Sequence, residues 1–227
     1  MNLLLLSNSG KPLYKWCKRE IAKFIGNRQV TFISAAAVYN PNDYFRAAQK
    51  SLSEVGLKLN HLVLKENPEH LIPKTEAFLI AGGNTYQLTS QLRKYNLLDK
   101  IKQQISKGAV CVGLSAGANI VGPNILTTND WNVVSSANFE GLNLTPFNIN
   151  PHYDASQDKI MTSAEARDER IKEYLIFNNN PVVAIEEGTY LEVEDGQVQV
   201  GGKGIAKLFV KSKEPKEYKS GEIINLS

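Results

Sequence analysis

The sequence is short of most features that would assign it to a membrane, a metal centre or a secreted scaffold. Two cysteines, Cys17 and Cys111, and three histidines are present in 227 residues. The cysteines lie far apart and match no metal-ligand spacing. Cys111 falls inside an apolar stretch and reads as a buried, reduced thiol, which points to a reducing compartment. The opening Met1–Leu6 has no basic n-region, and its apolar run is too short for a signal peptide. No apolar run approaches the roughly 18 residues of a membrane span. A cytoplasmic chain without membrane contact is therefore expected. Charge of one sign is scarce too: 26 basic against 23 acidic residues leave +3. The small excess gathers near the C-terminus (Lys203, Lys207, Lys211, Lys213, Lys216, Lys219), interleaved with Glu214 and Glu217. That is the pattern of a solvated edge strand, whereas a nucleic-acid site needs a denser basic stripe. Repeats, linkers and low-complexity tracts are absent, so residues 1–227 read as a single domain.

What is present is an alternation of short apolar runs and amphipathic stretches. Leu3–Leu6, Gln29–Ile33, Lys58–Leu64, Ala77–Ala81 and Ala109–Val112 read as strands. Helical spacing runs over Tyr14–Ile25, Asp43–Val55, Thr85–Arg93 and Leu97–Lys107. Strands alternating with helices of this length predict βαβ units: an α/β, doubly wound, mainly parallel sheet flanked by helices. Residues 121–155, rich in Pro, Asn and Thr, are expected to form loops and hairpins over the carboxyl edge of the sheet, where ligands bind in such folds. A helix from Ser163 to Phe177 follows, with Thr162 and Glu165 in capping-box spacing. Strands at Val182–Ile185, Tyr190–Val193, Gln197–Val200 and Lys207–Val210 complete the chain.

The stretch that organises the rest is Gly113-Leu114-Ser115-Ala116-Gly117. An apolar strand runs straight into it, which fits the G-x-S-x-G nucleophile elbow. Glycine is needed at both flanks because a side chain there collides as the backbone reverses into a helix. Ser115 is then raised above the sheet edge, and Ala116 N–H is placed to donate to an oxyanion.

A serine nucleophile needs a base. His61 sits in an alternating strand and His70 in a polar connection, whereas His152 closes an apolar strand in the loop-rich region after the elbow. His152 is the candidate general base by place and by elimination. For the carboxylate that orients it, Asp130 lies between serine and histidine in chain order, with Asp154, Asp158 and Glu187 as rivals. Gly83, in Ala81-Gly82-Gly83-Asn84-Thr85, offers bare backbone after the strand expected to neighbour the elbow and is the choice for the second oxyanion donor. Arg167 falls on the helix face that also carries Ile171 and Tyr174, so it points inward, where an arginine needs a carboxylate from the protein or from a substrate.

With these residues in view, the chain resembles the peptidase E family, the α-aspartyl dipeptidases among serine peptidases. The likeness runs over Leu3–Ser9, Gly82–Leu88, Gly113–Asn119, Thr127–Asp130, Asn150–Tyr153, Glu165–Glu173 and Glu187-Gly188. The resemblance implies a fold like the class I glutamine amidotransferases and hydrolysis of dipeptides with N-terminal aspartate, with no metal and no cofactor. It implies Ser115 as nucleophile, His152 as base and Asp130 as the triad aspartate. Glu187 matches a motif glutamate also considered for the triad and otherwise stands beside the substrate. Gly83 and Ala116 align with the oxyanion donors, and Arg167 with the arginine that reads the aspartyl carboxylate. The expected partner is a small peptide substrate, with no nucleic acid and the chain acting as monomer or homodimer. Two departures are visible. Ala81 stands where the family usually has a third glycine, and Leu114 stands where it often has tryptophan, altering a pocket wall. The alternatives are another serine hydrolase of the superfamily (an isopeptidase, cyanophycinase-like or an esterase) and a catalytically silent binding relative.

Overall fold

A computed structural model of the chain describes residues 1–65, 68–154 and 167–226. In chain order the elements are β1 (Asn2–Leu6), α1 (Lys18–Ile25), β2 (Val30–Ile33), α2 (Pro41–Ser53), β3 (Leu59–His61), β4 (Ala77–Ile80), α3 (Thr85–Lys94), α4 (Leu98–Ser106) and β5 (Val110–Leu114). There follow the single turn α5 (Ala116–Asn119), β6 (Asn148–Tyr153), α6 (Arg167–Phe177), β7 (Val182–Glu186), β8 (Thr189–Glu194), β9 (Gln197–Gly202), β10 (Ala206–Phe209) and β11 (Lys216–Tyr218). The sheet is α/β in class and mainly parallel, with the order β3-β2-β4-β5-β1-β8-β9; β8 and β9 add an antiparallel hairpin beside β1.

Period-2 alternation in the strands sorts side chains to two faces. Leu4, Leu6 and Leu79 pack with Ile21 and Ile25 of α1 and Ala48 and Leu52 of α2. Leu3, Leu5 and Ile80 pack on the other face with Leu88 and Leu92 of α3 and Ile101 and Ile105 of α4. The chain thus leaves β2 towards one face and β4, its neighbour, towards the other. Diverging connections of this kind open a crevice at the carboxyl ends of the two strands.

A second sheet, β11-β10-β7-β6, packs its Ile149, Val183 and Ile185 on the α3/α4 face of the first. The sequence pattern predicts one sheet; which strands pair is set by long-range packing that no local pattern encodes. Tyr14 to Cys17 are not in α1 because Tyr14 is buried with φ +62°, a left-handed turn that delays the helix. Within residues 121–147 the described pairing is one isolated bridge, Asn124 with Glu140, in place of hairpins. The expected helix start at Ser163, its capping box and Asp158 lie outside the described residues. From Arg167 onward α6 buries Ile171, Tyr174 and Leu175 as its spacing requires. Among the described residues no helix is long and apolar enough to cross a membrane.

Candidate active site

β5 lies between β4 and β1, so the turn after it stands at the middle of the sheet edge. Ser115 adopts φ +52° and ψ −110°, a conformation that costs a non-glycine residue free energy and persists only where the surroundings enforce it. The enforcement comes from close packing. A Cβ on Gly113 would lie 2.3 Å from the Gly117 carbonyl oxygen, and one on Gly117 would lie 2.1 Å from that of Ile80. Ser115 N–H donates to Leu6 O at 2.9 Å, tying the turn to β1. Ala116 begins α5, so its N–H has no intrahelical acceptor.

His152 is held as firmly. It interrupts the pairing of β6 with β7 as a bulge between Pro151 and Tyr153, has φ +58°, and donates its backbone N–H to Ser7 Oγ at 3.0 Å. Its Nε2 is 2.7 Å from Ser115 Oγ. Its Nδ1 contacts Glu187 Oε1, from the turn between β7 and β8. A carboxylate on Nδ1 fixes the proton there and leaves Nε2 to accept from the serine hydroxyl. Serine, imidazole and carboxylate therefore form a hydrogen-bonded chain with the polarity that nucleophilic catalysis requires.

Asp130 is elsewhere, which corrects the chain-order expectation. Its Oδ2 accepts from Thr85 N–H and Thr85 Oγ1, both at 2.7 Å, and lies 3.1 Å from Thr128 Oγ1. Asn84 caps α3 through Gln87 N–H and donates to Trp131 O. Asp130 is thus fastened to the start of α3 and makes no hydrogen bond with His152 among the described residues. The carboxylate paired with His152 is instead Glu187, one of the rivals that the sequence offers for this role and otherwise expected beside the substrate.

Gly83 has φ +140°, and a Cβ on it would meet the Ala36 carbonyl oxygen at 2.3 Å. On Gly82 a Cβ would come within 3.2 Å of Ser115 Cβ, so this turn passes directly beside Ser115. Gly82, Gly83, Leu114, Ser115, Asp130 and His152 line a common cavity of about 810 Å³, with Ala36 to Asn40 and Tyr44 forming its far wall. It occupies the crevice at the β2 and β4 carboxyl ends. Burial pushes the Tyr44 phenol above its ordinary range, so Tyr44 is a neutral group in that wall.

Arg167 does not line this cavity. Its Nη1 donates to Asn129 Oδ1 at 2.5 Å. Asn129 in turn donates to Pro151 O at 2.7 Å, next to His152. Burial, and then the neighbouring Arg170, pull Arg167 below its usual pKa, although a guanidinium remains charged. The Asp154 carboxylate acts in the opposite direction and raises it. The next residue, Asp168, anchors the helix: it bonds Tyr153 Oη at 2.7 Å and Lys207 Nζ at 2.6 Å. No cluster of metal-ligating side chains occurs among the described residues.

Ser7, Thr85 and Asn129 escaped the sequence reading. All three lie inside stretches quoted for the family resemblance, but no spacing rule distinguishes a hydroxyl or amide that supports a site from one that caps a turn.

A family model described as peptidase family S51 matches residues 3–201. Peptidase E of Nostoc sp. is 35% identical over 225 residues, covering 95% of this chain and 92% of the relative. Peptidase E of Salmonella arizonae is 32% identical over 227 residues, covering 97% and 99%. Among solved structures, a peptidase from an acI-B1 Actinobacterium superposes with a TM-score of 0.75 at 19% identity, over 98% of this chain and 96% of that one. A putative peptidase E protein from Listeria monocytogenes does so at 0.68 and 24%, over 88% and 98%.

Proposed function

The chain belongs to peptidase family S51 and is a peptidase, and within that family we propose that it is a serine dipeptidase hydrolysing Asp-X. The observation that carries the reading is the chain of contacts from Ser115 Oγ to His152 Nε2 and from His152 Nδ1 to Glu187. Ser115 Oγ attacks the scissile carbonyl while His152 Nε2 takes the hydroxyl proton. The carbonyl oxygen becomes an oxyanion facing the N–H groups of Gly83 and Ala116. Collapse of the tetrahedral adduct breaks the C–N bond. His152 returns the proton to the leaving amine, and an aspartyl ester remains on Ser115. Water, deprotonated by the same nitrogen, releases aspartate and restores the serine. Glu187 holds the imidazole tautomer and stabilises the imidazolium.

Preference for an aspartyl residue is supported by Arg167, a half-buried cation that donates to the amide of Asn129 and lies in the field of Asp154. A substrate carboxylate can pair with this guanidinium, and the planar fork suits it better than an ammonium does. The test is kcat/KM on Asp-Leu, Glu-Leu, Asn-Leu and Ala-Leu, with Ser115→Ala as control. Activity confined to Asp-Leu and lost with Ser115 is expected. Equal turnover of Ala-Leu would remove the aspartyl specificity, and activity surviving in Ser115→Ala would remove the mechanism.

A further inference from the structure

Asp130 is left with a carboxylate in the catalytic cavity and no role in orienting the histidine. We propose that its free oxygen receives the α-ammonium of the substrate's first residue, which makes this site specific for a free amino terminus. The inference rests on the Asp-X reading above and extends it to the other charged group of an N-terminal aspartate.

Three observations carry it. The first is the division of the carboxylate: Oδ2 takes Thr85 N–H, Thr85 Oγ1 and Thr128 Oγ1, while Oδ1 has no hydrogen-bond partner among the described residues. One oxygen is anchored and the other is available. The second is charge. No lysine, arginine or histidine pairs with Asp130 among the described residues, although the group lines the same cavity as Ser115 and Gly83. An ammonium arriving there meets an anion that has not been neutralised. The third is adjacency. Asn129 holds Arg167, and Asp130 is the next residue. One short segment therefore holds the arginine proposed for the side-chain carboxylate and an anion for the amine. In an N-terminal aspartate these groups sit on neighbouring carbons, beside the carbonyl that Ser115 attacks.

The competing role for Asp130 is purely structural: by fastening Thr85 it steadies the turn that presents Gly83. The two roles separate with a substrate lacking only the amine. N-succinyl-leucine is Asp-Leu without its α-amino group. The parent enzyme is expected to prefer Asp-Leu over N-succinyl-leucine by about 100-fold in kcat/KM, the scale of a desolvated ion pair. In Asp130→Asn, which keeps the side chain's size, that preference should fall below about 5-fold, with most of the loss on Asp-Leu. Thr85→Val loosens the tether but keeps the anion, so it should slow both substrates alike and retain the parental preference. Two results overturn the inference: a parent that cleaves both substrates equally, or an Asp130→Asn enzyme that slows both by the same factor. A parent that cleaves neither, while Ser115 still reacts with an acylating inhibitor, defeats the Asp-X reading itself and this inference with it.

Discussion

His152 and Glu187 stand at the ends of the parallel pair β6 and β7, and the bulge at His152 turns Nδ1 onto the Glu187 carboxylate. Both side chains are open to water, 40% and 54% exposed. Such a carboxylate acts mainly by fixing the tautomer, since solvent screens its charge. Glu187→Gln should therefore lower kcat on Asp-Leu by about 10²- to 10³-fold, less than for a buried triad acid, with KM little changed. Parental kcat in this variant would sink the orienting role of Glu187.

Arg167→Lys keeps a positive charge but loses the fork. The expected result is a fall of about 100-fold in kcat/KM for Asp-Leu with the urea midpoint unchanged. Equal kcat/KM in variant and parent would remove Arg167 from substrate recognition.

The elbow glycines should resist substitution for reasons unconnected with chemistry. A methyl at residue 117 meets the Ile80 carbonyl at 2.1 Å, and this neighbour is strand backbone that cannot rotate away. Gly117→Ala should destabilise the fold by about 3 kcal/mol in urea titration. A change below about 0.5 kcal/mol would mean that the turn is softer than its packing indicates.

The Asp168–Lys207 pair is only 17% and 14% exposed and shares Tyr153 Oη. Removing the lysine leaves a poorly solvated carboxylate at the foot of α6. Lys207→Met should cost about 2 kcal/mol and loosen the helix that carries Arg167. Acylation of Ser115 by a small reagent should continue at its parental rate. Loss of that reaction would show that the second sheet supports the nucleophile as well as the arginine.

Burial pushes the Cys17 and Cys111 thiols up to about 12. With the pKa raised that far, the thiolate that reacts is nearly absent at pH 8. Neither cysteine should react with a disulfide reagent until denaturant is added. Prompt labelling of the folded protein would contradict their burial.

The sharp turn at Ser115 was legible from sequence because its signal is local: an apolar strand, two glycines and a serine within one turn. The place of the glycine turn at Gly82 and Gly83 was legible for the same reason, since a β-to-α turn beside the elbow strand advertises itself by glycine. Arg167 could be aimed inward from helical periodicity alone. The partner of His152 was not legible. Chain order ranked Asp130 ahead of Glu187, but the choice depends on the bulge that swivels His152 and on the pairing of β6 with β7. Both belong to the second sheet, which local patterns did not separate from the first. Asp130 misled because an Asn-Asp turn next to threonines looks alike whether it serves a histidine or fastens a helix.

The position of Glu187 has a consequence for the order of synthesis. The parallel strands β3-β2-β4-β5-β1 can pair as soon as residue 114 has been made, and Ser115 follows at once. β1 remains an open edge until β8 covers it, and Glu187 is delivered by the turn that leads into β8. An unfinished chain thus carries the serine and the histidine but lacks the group that fixes the imidazole. The contact between His152 and Glu187 is therefore the last part of the site to form, with the turn that leads into the strand closing the sheet.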